Sequence, residues 1–203
     1  MKKTSLIFLA LLFTCFSYGQ PVKVELHSIV GYGQNEDFAK KAAKALEKVL
    51  NSEEFKTKML AMTFLRTNGL TNQQLYDLIM KAHEVQGNGG QDGVVDLRVR
   101  TLRIDSDESK WKDNCEIGSR SGTIGIDGNG DGVTAICPQR LELWVKENNV
   151  AELAGHYAHE YMHILGFGHY KFLSTQNWRE KTFVYKIGNL VSDLVTKQMQ
   201  AEQ

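Results

Sequence analysis

Hydrophobic positions along this chain switch several times between a period of two and a period near 3.6, and each switch marks an element. Val22, Val24 and Leu26 alternate with Lys23, Glu25 and His27, which predicts a strand over 22–30. After the Gly31-Tyr32-Gly33 turn the period lengthens. Phe38, Ala42, Leu46, Val49 and Leu50 form one stripe of a helix over about 35–50, with Lys40, Lys41, Lys44, Glu47 and Lys48 on its solvated side. Asn51 with Glu54 opens a second helix, whose stripe is Phe55, Met59 and Met62. Thr71 with Gln74 opens a third, carrying Leu75, Leu78, Ile79 and Ala82. The methionines in these stripes read as core filler.

Gly87–Gly93 is a loop by composition, and Val94–Ile104 reads as the next strand. Val95, Leu97 and Val99 alternate there with Asp96, Arg98 and Arg100, and the phase slips at Leu102 and Ile104, as at a bulge or a strand end. Asp105–Asn114 is polar, a surface loop. Thr123–Ile126 and Val133–Ile136 are short apolar runs. In Arg140–Val145, Leu141, Leu143 and Val145 alternate with Glu142 and Trp144, which predicts another strand. Asn149, with Glu152 three residues on, starts a long helix. Val150, Leu153, Ala154, Tyr157, Tyr161, Ile164 and Leu165 cluster on its apolar side. Glu152, Gly155, His156, His159 and His163 fall opposite, toward a cleft. Tyr170–Thr182 is polar and Phe183-Val184-Tyr185 is briefly apolar. Ile187, Leu190, Val191, Leu194 and Val195 then make a closing helix over about 186–199. The whole predicts an α+β fold in one domain, because the stretch on either side of Gly87–Gly93 is too small for a core of its own.

The N-terminus changes the picture of where the chain works. Lys2 and Lys3 precede the apolar run Leu6–Phe16, and Ser17-Tyr18-Gly19 supplies small residues at a cleavage site. Residues 1–19 therefore read as a signal peptide and 20–203 as the mature domain, secreted or periplasmic. The apolar run is too short to cross a bilayer, which takes about 20 residues, so no transmembrane segment is expected. A minor alternative is a lipoprotein anchored through Cys15, since Leu12-Phe13-Thr14-Cys15 partly matches a lipobox. Cys115 and Cys137 are the cysteines left after cleavage, and an isolated pair in an exported protein predicts one disulfide. Formal net charge is zero over 203 residues with no basic block, which argues against nucleic acid. A monomer is the expected state.

The chemistry concentrates in His159-Glu160-Tyr161-Met162-His163-Ile164-Leu165-Gly166-Phe167-Gly168-His169, of the form H-E-x-x-H-x-x-G-x-x-H. Four residues apart on a helix, His159 and His163 project from one face and can hold one Zn2+. Glu160 lies about 100° around from His159, beside the metal, placed to take a proton from its water. Gly166 suits a left-handed helix end that turns the chain back and delivers His169 as third ligand. Three protein ligands leave one position open, the catalytic arrangement. Upstream, Asp127-Gly128-Asn129-Gly130-Asp131-Gly132 matches the first half of a calcium loop, but Pro138 stands where the bidentate Glu belongs. Ca2+ on Asp127, Asn129 and Asp131 and a plain hairpin turn both remain open.

The eleven-residue motif resembles that of the metzincin clan of zinc endopeptidases. The resemblance implies a twisted mixed sheet with an active-site helix and a C-terminal helix, a substrate cleft, and hydrolysis of protein or peptide bonds. It also implies an edge strand above the cleft that pairs with substrate, here Val133–Ile136 or Arg140–Val145. The clan's methionine turn beneath the metal has no counterpart, because the sole methionine after His169 is Met199, near the C-terminus. Cys115 could act in the manner of a cysteine switch, though no removable pro-segment surrounds it. Tyr185-Lys186-Ile187-Gly188 resembles a Tyr-x-Ile-Gly stretch in a group of secreted bacterial zinc-peptidase-like proteins. A Tyr hydroxyl near the metal, from Tyr185 or secondarily from Tyr170, could stabilise an oxyanion. The same water chemistry would also serve a zinc hydrolase of non-peptide amides or esters. If zinc were closed off by a fourth ligand, the chain would be a non-catalytic exported binding module.

Overall fold

The computed structural model describes residues 20–82, 91–102, 115, 123–126, 133–168 and 180–202. The first strand forms as Lys23–Val30 (β1), with a bulge between Leu26 and Ser28. The bulge shifts the inward phase: Val24 and Leu26 pack on the core before it and Ile29 after it. Helix α1, Glu36–Leu50, buries the predicted stripe. Asn51 does not start the next helix. Its side chain instead accepts from the Val22 amide at 2.9 Å and donates to the Val22 carbonyl at 2.8 Å, tying β1 to the end of α1. Ser52 is the cap of α2 (Glu53–Ala61), accepting from the Phe55 amide at 3.1 Å. Helix α3, Asn72–Met80, opens with the predicted Thr71–Gln74 capping box.

Strand β2 is Val94–Thr101, and β3 (Thr123–Ile126) and β4 (Val133–Ile136) pair antiparallel with each other. The sheet order is β1-β2-β4-β3, with β1, β2 and β4 mutually parallel. The fold is thus α+β on a mixed sheet, with six α-helices among the described residues. Neither segment expected at the substrate edge lies there. Val133–Ile136 is an interior strand between β2 and β3, and among the described residues Lys23–Val30 and Thr123–Ile126 hold the two edges.

Arg140–Val145 is not a strand but the body of helix α4, Pro138–Lys146. Pro138 occupies the first turn, where its missing N–H and fixed φ suit a helix start. Leu141 and Trp144, three apart, are the buried pair, and Leu143 is 42% exposed. Leu141 and Val145 suit either period, but Leu143 fits only the strand, and the proline and the Leu141–Trp144 spacing mark the helix. Cys137, the residue before α4, is disulfide-bonded to Cys115. That bond occupies the Cys115 thiol and removes it as a metal-blocking group. It also fastens the chain between β4 and α4.

Helix α5, Val150–Ile164, carries the motif, and α6, Phe183–Ala201, lies against it as its main partner. Phe183-Val184-Tyr185 is the first turn of α6 rather than a separate stretch. Two buried tyrosines fix α5 from other sides. Tyr161 donates to the Ile79 carbonyl at 3.0 Å, and the Tyr157 hydroxyl lies 3.3 Å from that of Tyr32. Burial pushes the Tyr32 hydroxyl up to about 12 and Tyr157 upward as well, so both stay neutral. Among the described residues no helix is long and apolar enough to cross a membrane.

The helical register of α4 predicts opposite outcomes at adjacent positions. Leu143→Glu is expected to change stability by less than about 0.5 kcal/mol, and Trp144→Ala to cost about 3 kcal/mol or more. Urea unfolding of the two variants measures both, and a large loss for Leu143→Glu with little for Trp144→Ala would restore the strand.

Candidate metal centre

The motif helix begins and ends by local chemistry. Asn149 caps it, its side-chain oxygen accepting from the Glu152 amide at 3.2 Å. Glu152 does not close a capping box; its carboxylate accepts from Ser192 Oγ on α6 at 3.0 Å. At the far end Gly166 takes φ +90°, a conformation that strains any side chain. Its amide donates to the His163 carbonyl at 2.8 Å, and the Phe167 amide donates to the Met162 carbonyl at 3.0 Å. These two bonds make a Schellman turn, as the glycine predicts.

The turn does more than stop the helix. It carries the Phe167 carbonyl back over the last turn, where it lies 2.7 Å from His163 Nδ1. A carbonyl only accepts, so Nδ1 carries the proton and Nε2 presents the lone pair, the tautomer a metal ligand needs. The His159 ring stands beside it, with centroids 5.2 Å apart and planes at 76°. On the other side of His159 lies Tyr185, centroids 4.6 Å apart and planes at 78°. Both histidines are half-buried. Two imidazoles thus stand side by side on α5, one of them with its proton held on Nδ1.

Glu160 and His156 sit on a drier side of α5. Glu160 is 3% exposed, and its Oε1 lies 3.5 Å from His156 Nδ1. His156, expected to face a cleft with the other histidines, is 6% exposed and packs against Trp144 of α4 at 6.3 Å. Gly155, expected on the same open face, is buried under α6. On the polar side of α5, Glu152 stays exposed and His159 and His163 are half-buried, while Trp144 of α4 covers His156 and α6 covers Gly155. His156 Nε2 is buried with no hydrogen-bond partner among the described residues. Burial pushes this imidazole down to about 3, with hydrogen bonding to the Ala135 carbonyl pulling upward and the His163 charge adding to the depression.

His169 and Tyr170 lie outside the described residues, as do Asp127, Asn129, Asp131, Cys15 and residues 1–19. Sequence reasoning did not anticipate a grouping of Glu25, His27 and Asp96 across β1 and β2, whose ligand atoms lie within 4.8 Å of one another. Glu25 and Asp96 are register partners, and His27 Nε2 contacts Asp96 Oδ1. The signal was present in the outward phase of both strands, but the pairing of β1 with β2 was not. The group is largely exposed, and its histidine already bridges one of two like charges. Comparison with protein-family models, curated proteins and solved structures finds no match to this chain.

A buried neutral His156 makes stability depend on pH. In the unfolded chain an imidazole protonates near 6.5, and in the folded protein only near 3. Between those values the unfolded state binds more protons, so stability falls as pH drops from 6.5 toward 3. The share due to His156 approaches about 1.4 kcal/mol per pH unit. His156→Phe keeps a ring against Trp144 and is expected to flatten the profile by that amount. Identical pH slopes for the two proteins in urea unfolding would show that His156 charges freely in the folded state.

Proposed function

We propose that this protein is an exported zinc-dependent peptidase, with His159, His163 and His169 as ligands and Glu160 as general base. The observation that carries the reading is the Phe167 carbonyl on His163 Nδ1, which presents Nε2 beside the His159 ring within an H-E-x-x-H-x-x-G-x-x-H sequence. A bound Zn2+ supplies Lewis acidity, polarising the scissile carbonyl and lowering the pKa of its water to about 7.

This chain's residues do the rest. His159 and His163 orient the site from one face of α5. Glu160, one residue from the first ligand, accepts the water's proton on its carboxylate and passes it to the leaving amine. Its burial beside His156 keeps competing water away. Strand β3 is an antiparallel edge strand in contact with α5, and an extended peptide can add to such an edge by main-chain hydrogen bonds. The disulfide and the signal-like N-terminus support work in an oxidising compartment outside the cytoplasm.

Digestion of a diverse peptide mixture, read by mass spectrometry, tests the reading. The zinc-loaded protein is expected to generate new peptide termini, and Glu160→Ala to hold zinc and generate none. Turnover unchanged in Glu160→Ala removes the general base, and no cleavage by folded protein holding one zinc removes the peptidase. His169→Ala is expected to weaken zinc binding by at least about tenfold; full retention in a metal titration would remove the third ligand.

A further inference from the structure

We infer that α6 is the positioning element for the first ligand, and that Tyr185 acts through its ring on His159, not through its hydroxyl on the substrate. The inference rests on the reading of His159 as a zinc ligand.

Three rungs join α5 to α6 on one line. At the first, Glu152 accepts from Ser192 Oγ at 3.0 Å. At the second, Gly155 meets Gly188: a Cβ on Gly155 would lie 2.7 Å from the Gly188 carbonyl oxygen and 2.9 Å from Ser192 Cβ. At the third, His159 meets Tyr185, ring to ring at 4.6 Å. The steps are three then four residues on α5 and four then three, descending, on α6. That is the register of one helix face laid against another running the opposite way. The two lower rungs thus set where the third falls.

Gly188 also touches the ligand itself. A Cβ there would lie 3.1 Å from His159 Cβ, 3.6 Å from His159 Cα and 2.9 Å from the Gly155 carbonyl oxygen. No side chain fits at Gly188 without moving α6 off His159. The backbone of α6 therefore abuts the root of this histidine, and Tyr185, one turn earlier, abuts its ring. Perpendicular aromatic pairs at this separation hold a preferred geometry. An imidazole restrained in both torsions loses less freedom on taking a metal. His163 is fixed through Phe167, and α6 supplies the corresponding restraint for His159.

Titration of the purified zinc-free protein with Co2+, followed through its d–d absorption, tests this. The unsubstituted protein comes first: if it is folded and binds no Co2+, the metal reading falls and the inference with it. Given binding, Tyr185→Leu and Gly188→Ala are each expected to weaken Co2+ by about tenfold, the scale of an outer-shell change, and to alter the absorption bands. Tyr185→Phe is expected to match the unsubstituted protein in affinity, spectrum and peptide turnover. Unchanged affinity and spectrum in Tyr185→Leu and Gly188→Ala overturn the inference and leave the zinc site standing. So does Tyr185→Phe with normal Co2+ affinity and lost turnover, which returns the hydroxyl to catalysis. Thermal unfolding of the metal-free variants identifies any that does not fold, and the remaining variant then decides.

Discussion

Two helix backbones meet in this protein with nothing between them at Gly155 and Gly188, and the arrangement of the centre follows from that contact. Each glycine costs its helix about 1 kcal/mol relative to alanine, so the pair is a standing charge of about 2 kcal/mol against the two helices. What offsets it is the burial the approach permits. Ala158 and Met162 on α5, and Val184, Val191 and Val195 on α6, lie within about 60° of the glycines around their helices and are all closed from solvent. At roughly 1.5–3 kcal/mol for each large apolar side chain, the gain outweighs the glycine cost. The histidine that follows Gly155 by four residues is placed as a by-product of this packing.

The two described ligand candidates reach fixed positions by unlike means. His163 is held through a hydrogen bond whose acceptor arrives only because Gly166 adopts a left-handed conformation. His159 is held by contact. One restraint is directional and selects a tautomer, and the other is steric and selects a ring orientation. Clan members that this motif resembles place a methionine turn beneath the metal; here the first turns of α6 lie against the first histidine.

Much of this was legible in the sequence, for reasons that can be stated residue by residue. The stripes of α1, α5 and α6 are long enough for a 3.6-residue period to stand out. Gly166 announces the helix end because few other residues tolerate its φ, and Asn149 announces the beginning. Arg140–Val145 misleads because Leu141 and Val145 suit a period of two as well as one of 3.6, and Leu143, which completes the alternation, is an apolar residue on the exposed side of a helix. Gly155 and His156 read as open positions because a polar face in sequence says nothing of what covers it. Trp144 and α6 come from distant parts of the chain. Tyr185 is visible in the sequence, but its hydroxyl draws the eye, and only the crossing of α5 and α6 brings its ring to His159. The edge strand was misassigned for the same reason, since strand order is a property of the sheet and not of any one strand.

The helix crossing also leaves a trace that descent can be followed by. Positions 155 and 188 face each other across a gap that admits no Cβ, so neither can drift alone while the other stays. A chain sharing this architecture but little else would keep a glycine four places before the H-E-x-x-H histidine. It would keep another in its closing helix, three places after an aromatic. Such a paired spacing joins two separated segments, and it would persist after the surface, the loops and most of the core had changed beyond recognition.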